Sequence, residues 1–129
     1  MEHAQQLQRL MAAIDELHAQ PSVRVGEVIV DPRYSQWSHQ GIYQIREPDD
    51  KQVVYVGKTK GACDGVAQRI WDHAHGESGG SDLVNTLQVT RQTFADYRVR
   101  SIAIPDARFR GLAELFGIAI FDPKGNRVE

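Results

Sequence analysis

Cysteine is almost missing from this chain. Cys63 is the only one in 129 residues, so no internal disulfide forms and a four-cysteine zinc site is excluded. Long apolar runs are missing too. The longest, Leu112 to Phe121, is about ten residues, contains Glu114, and falls short of the roughly 18 needed to span a bilayer. The start, Met1-Glu2-His3-Ala4-Gln5-Gln6, is polar and lacks the basic-then-apolar order of a signal peptide. The expectation is a cytoplasmic protein with no membrane partner. No internal repeat or low-complexity tract is present.

Positive charge is also scarce. The net charge is −2. Residues 1–40 carry three Arg against five Asp or Glu, and residues 41–129 carry 12 basic and 12 acidic residues. No global field attracts a polyanion, so any phosphate binding depends on local clustering. What remains is an ordinary globular composition, 41% hydrophobic and 25% charged, of a length that fits one core.

Hydrophobic periodicity places the elements. Leu7, Leu10, Met11, Ile14 and Leu17 share one face of a helix over 4–19, stopped by Gln20-Pro21-Ser22. Residues 23–30 alternate in part and read as a short strand. Asp31-Pro32-Arg33 is a turn, and 34–40 a loop. Gly41–Arg46 and Val53–Gly57 are β-prone runs joined by Glu47-Pro48-Asp49-Asp50-Lys51, a hairpin. A helix over 63–75 follows, with Cys63, Val66, Ala67, Ile70, Trp71 and Ala74 on one face. Gly76–Ser81 is a loop, and Asp82–Ala95 a weaker helix. Tyr97–Ile104 alternates as a half-buried strand. Pro105-Asp106 opens a last helix over Ala107–Phe121, and Asp122–Asn126 is a terminal turn. Helices and strands in this order give a small α/β or α+β layer structure.

Several residues stand out for chemistry. Glu114 is the only charge in an apolar segment, and an unpaired buried carboxylate must find a cation or a proton. It is either an edge residue, an Arg-paired one, or a ligand for Mg²⁺, which accepts a single carboxylate alongside waters and phosphates. Arg69 and His73 are four apart and share a helix face. Arg offers a planar fork to phosphate oxygens, and His moves protons near neutral pH. A solvated helix face is the plainer reading of that spacing. Tyr43 and Tyr55 lie on neighbouring strands, where tyrosine often serves packing alone. His73 and His75, two apart, do not share a helix face and are no metal pair. Gly57-Lys58-Thr59 ends like a P-loop, but position 52 is Gln where a Gly is required, which excludes that motif.

Together these residues resemble the GIY-YIG endonuclease superfamily: Gly41-Ile42-Tyr43, then Val54-Tyr55-Val56-Gly57-Lys58, then Arg69, Glu114 and Asn126, in order and at similar spacing. Arg69-x-x-x-His73, with Asn126 twelve residues after Glu114, is most similar to the restriction-endonuclease branch. The resemblance divides the chain into an N-terminal helical extension, 1–38, and a nuclease domain, 39–129. It implies a central antiparallel three-stranded sheet flanked by helices, with the extra N-terminal helix added. It implies phosphodiester hydrolysis in DNA, in preference to RNA, with one divalent ion, Mg²⁺ or Mn²⁺. On that pattern Glu114 holds the metal, Arg69 stabilises phosphoryl charge, and Tyr43 is the general base, assisted by Tyr55 or His73. Asn126 positions the phosphate or organises the site, while Gly57 and Lys58 contact substrate. The alternative is an inactive binding or protein-interaction module on the same fold. The apolar N-terminal helix packs on its own core as first expectation, with a homodimer or a partner-protein contact as the others.

Overall fold

The computed structural model describes residues 2–30, 37–61, 65–75 and 83–126. The turn expected at 31–33, Cys63 and the 76–81 loop lie outside them. Eleven elements occur in the order α1 (Glu2–Ala19), β1 (Val23–Arg24), α2 (Val25–Ile29), β2 (Gly41–Arg46), β3 (Val53–Lys58), α3 (Val66–His75), α4 (Leu83–Thr86), α5 (Arg91–Phe94), β4 (Arg98–Ala103), α6 (Ala107–Phe121) and a 3₁₀ turn (Lys124–Asn126).

The sheet is antiparallel in every pairing and has the order β1-β4-β2-β3. It has four strands among the described residues, where three were expected. The fourth is β1, two residues long, paired through Val23↔Val99 and Arg24↔Arg98. The run 23–30 is therefore mostly not strand. Val25 and Gly26 turn inward, donating their N–H groups to Tyr97 O and Ala95 O at 2.8 and 2.9 Å. Val25 and Val28 then bury themselves at helical spacing. That local alternation is overridden by a tertiary contact no sequence window contains. The helix expected over 82–95 is two short ones. Gln88 adopts φ 59°, a left-handed conformation that ends the first, and the Thr90 hydroxyl caps the second by accepting from Thr93 N at 3.1 Å.

The sheet is covered on both faces. On one, Tyr43, Ile45, Val54 and Val99 pack with Val66, Ala67 and Ile70 of α3, and with Leu83, Phe94 and Val25. On the other, Ile42 and Ile102 pack with Ala13, Ile14 and Leu17 of α1 and Ala113 of α6. Helix α1 is thus docked on the same sheet as the rest of the chain, and the own-core expectation holds. It runs parallel to α6, with Arg9 over the Phe109 ring, Ile14 against Gly117, and His18 stacked on Phe121. A Cβ at Gly117 would stand 3.1 Å from Ile14 and 3.2 Å from Val56, so the absent side chain sets how closely α6 approaches both. Leu7 and Met11 remain exposed on α1, each at 49%. Among the described residues no helix is long and apolar enough to cross a membrane.

Candidate functional site

The hairpin β2–β3 aligns the two motif tyrosines. Tyr43 lies opposite Gly57 and Ile45 opposite Tyr55, so both phenols point to the α3 face of the sheet. Their ring centroids are 6.1 Å apart. Gly57 has a steric reason to be glycine, because a Cβ there would run into the Tyr43 hydroxyl.

Helix α3 supplies the roof. Its Tyr43-facing side carries His73, whose Nε2 lies 2.6 Å from the Tyr43 hydroxyl, and whose ring meets Tyr55 edge-on at 4.8 Å. Tyr43 is 0% exposed and His73 1%. Burial brings the His73 pKa down to about 3, with the charges of Arg69 and Lys60 adding to it. The imidazole is therefore neutral at physiological pH, and its Nε2 shares a hydrogen bond with the Tyr43 hydroxyl whose direction follows the ring's tautomer. Burial also raises the Tyr43 pKa well above 10, the Tyr55 phenol adding to this and Arg69 opposing it. Tyr55 is raised by burial and by Glu114, again against Arg69. Both phenols are protonated, and neither is a base as it stands. Tyr43, expected as the base, has no surface to offer a water; Tyr55 is the phenol that keeps some.

Arg69, one turn before His73, is 6% exposed. A buried guanidinium ordinarily has its donors filled. Here one nitrogen reaches Asp72 at a long 3.5 Å, the guanidinium also hydrogen-bonds Tyr43, and among the described residues Nε has no hydrogen-bond partner. Glu114 complements it. It is half-buried on α6, and among the described residues it makes no ion pair or side-chain hydrogen bond. Burial raises its pKa, while Lys58, Lys60 and Arg69 pull in the other direction. Glu114 acts on the ionisation of both tyrosines, so its field reaches across the edge of β3 to the α3 face.

The structure thus brings Tyr43, Tyr55, Arg69 and His73 into mutual contact or near it, and couples Glu114 to both tyrosines and to Arg69, with Lys58 coupled to Glu114. Asn126 does something else. Its Oδ1 accepts from Val56 N and its Nδ2 donates to Val56 O, both at 2.8 Å. It mimics a paired strand on the open edge of β3, and its amide is committed to the backbone. His75 stacks on Trp71 and bonds its carbonyl oxygen, a local role.

Two residues escaped the sequence reading. Lys60 is exposed and its charge acts on both His73 and Glu114. Its signal was in plain view, two residues beyond Lys58 on the same strand exit. Asp72 holds Arg69 weakly and also accepts from Gln68 Nε2 at 3.0 Å. Its position three residues after Arg69 was the signal there. Among the described residues no three His, Cys, Asp or Glu side chains cluster as a metal centre, so a divalent ion would rest on Glu114 with oxygens from outside the chain. In comparisons with known proteins, no family model matches this chain and no curated protein matches it.

Proposed function

We propose that this chain is a metal-dependent endonuclease of the GIY-YIG type, hydrolysing phosphodiester bonds in DNA. One observation carries the reading: a half-buried, unpaired Glu114 and a buried, under-paired Arg69 share one field around the Tyr55 phenol. Two opposite charges left incompletely satisfied this close together suit a ligand that is itself both cationic and anionic, such as a divalent ion with a phosphate.

The donor set fits such an ion. A lone carboxylate is a hard oxygen ligand, and its burial penalises the anion until a cation arrives. Bound there, the ion would supply Lewis-acid charge at a phosphoryl oxygen. The remaining work falls to the chain. Arg69 would direct its free Nε donor at the phosphate, in a water-poor setting where a charge-assisted bond counts most. Lys58 and Lys60 would neutralise the flanking charge. Tyr55 would orient the attacking water. Behind it, the hydrogen-bonded Tyr43–His73 pair would hold the Tyr55 ring in place, both groups staying neutral. DNA is chosen over RNA on the family resemblance. With a net charge of −2, binding should be weak and sensitive to salt.

The test is cleavage of supercoiled plasmid and branched DNA with Mg²⁺ or Mn²⁺, compared between wild type and Glu114→Gln. Metal-dependent cutting by wild type alone supports the reading. Absence of cutting on every substrate sinks it, and equal cutting by both proteins exposes a contaminant. The complete burial of Tyr43 favours a second reading, a phosphate-binding module on the same fold that does not turn over. Retained DNA binding, without cleavage in either metal, would establish it.

A further inference from the structure

Helix α6 carries a second buried charge one turn before Glu114. Arg110 is 6% exposed and lies on the same helix face as Glu114, four residues earlier. Among the described residues it has no carboxylate partner. It spends its donors on backbone: Nε on Thr59 O at 3.2 Å, and one terminal nitrogen on Ile104 O at 2.9 Å and Pro105 O at 3.2 Å. It therefore ties the exit of β3 to the exit of β4 and to the first turn of α6. Burying a guanidinium against neutral carbonyls is an expensive way to join elements, and apolar packing would serve stability as well or better. The expense points to what the tie positions.

Its anchor, Thr59, is fully buried between two lysines. Every polar atom of Thr59 is used. Its N–H donates to Gly41 O at 3.0 Å, its hydroxyl donates to Gln40 Oε1 at 2.6 Å and accepts from Gly41 N at 3.2 Å, and its carbonyl accepts from Arg110. Lys58 and Lys60, on either side, make no ion pair or side-chain hydrogen bond among the described residues. One rigid residue flanked by two uncommitted cations is how a strand end presents charge to an anion.

We propose that Arg110 is a positioning residue: by clamping Thr59 to α6 it holds Lys58 and Lys60 in register with Glu114, so that the two lysines bind a phosphate beside that carboxylate. Its consequence for cleavage rests on the endonuclease reading; its consequence for phosphate binding does not.

The probe is inorganic phosphate, titrated into the full chain and followed by amide chemical shifts. Wild type is compared with Arg110→Met, Lys60→Met and the double variant. Arg110→Met should stay folded, melting within about 5 °C of wild type, and bind phosphate about tenfold more weakly. The double variant should be no weaker than the weaker single one, because both changes remove the same interaction. Additive losses, an unchanged affinity in folded Arg110→Met, or no phosphate binding by wild type would each overturn the proposal. Should Arg110→Met not fold, Arg110→Lys takes its place, keeping the charge and losing the planar fork; it should fold and show the same non-additive loss. If the coupling holds and wild type cuts no DNA, the endonuclease reading falls and the role of Arg110 stands.

Discussion

The two faces of the sheet treat arginine in opposite ways. On the α1–α6 face, near the hairpin turn, three arginines are well provided for. Arg100 grips both carboxylate oxygens of Asp50 at 2.7 Å and donates to Gln20 O. Arg46 donates to Gln44 Oε1, to the carbonyls of Asp50 and Lys51, and to His18 Nδ1. Arg98 holds Ser22 twice. On the α3 face, Arg69 has a long 3.5 Å contact to Asp72, a hydrogen bond to Tyr43 and, among the described residues, an orphan Nε. The first set is what a structural network looks like, because an unfilled buried donor costs more than a filled one returns. The second leaves a buried donor open, and the proposed phosphate site rests on it. The divide is not perfect, since Gln44 Nε2 on the structural face is also without a partner, and nothing in the structure explains it.

The sharpest way to break this contrast is acid. His73 has a folded pKa near 3 against an ordinary 6.5. The unfolded chain therefore binds a proton that the folded chain refuses. Stability is complete above about pH 6.5 and is lost as pH falls toward 3, on the order of 4–5 kcal/mol in all. His73→Gln, which keeps an acceptor for Tyr43, should flatten that limb in urea titrations between pH 7 and 4. An unchanged limb would show that the imidazole is not held neutral by burial.

Next in size is the catalytic effect. Glu114→Gln should lower metal-dependent cleavage by roughly 10²- to 10³-fold, the range for losing one charge-stabilising group. The matching substitution at the hairpin turn, Asp50→Asn, should leave cleavage within about twofold, since Asp50 faces Arg100. A comparable loss from Asp50→Asn would erase the distinction between the structural network and the candidate site.

A smaller effect separates the arginines by stability. Arg100→Met breaks a bidentate pair and strands part of Asp50, costing roughly 1.5–3 kcal/mol in chemical denaturation. Arg69→Met together with Asp72→Asn removes both charges of a long buried pair and should cost about 0–1 kcal/mol, or stabilise, while weakening phosphate binding. Equal costs would mean that Arg69 is as structural as Arg100.

The smallest effect is a difference of sign. The hydrogen bond from Arg100 holds the Asp50 pKa below its usual value, so Asp50 stabilises the fold above about pH 4, and the benefit fades as pH falls through the lowered folded value. Burial holds Glu114 above its usual value. There the folded chain keeps its proton longer, so stability declines as pH rises through the window between the two values, and Glu114→Gln relieves that penalty at neutral pH. Asp50→Asn should thus destabilise, and Glu114→Gln stabilise, near pH 7, with both differences vanishing in acid. Two shifts of the same sign would refute the assignment of Glu114 as an unpaired carboxylate.

Local pattern reached a good part of this fold. The helix Ala107–Phe121 was legible to the residue, since Pro105-Asp106 announces a cap and Asp106 indeed accepts from Phe109 N at 3.0 Å. The hairpin was legible from its turn composition and β-prone flanks. Strand β1 and helix α2 were not. Two residues become a strand only because Val99 and Arg98 lie beside them, and Val25 turns helical only where Tyr97 O receives its N–H.

The candidate site divides the same way. The sequence by itself determined which side chains were available: two tyrosines on adjacent strands, an Arg and a His one helical turn apart, a lone carboxylate in an apolar helix. These follow from fixed repeats of 2 and 3.6 residues, which a linear chain displays. Only the tertiary structure decided what each was doing. It sealed Tyr43 and left Tyr55 a surface, spent Asn126 on a strand edge, brought the Lys60 charge to bear on Glu114, and set Arg110 to clamp Thr59. Burial and partnership are properties of surroundings assembled from distant segments, and they decide whether a polar group is filled or waiting.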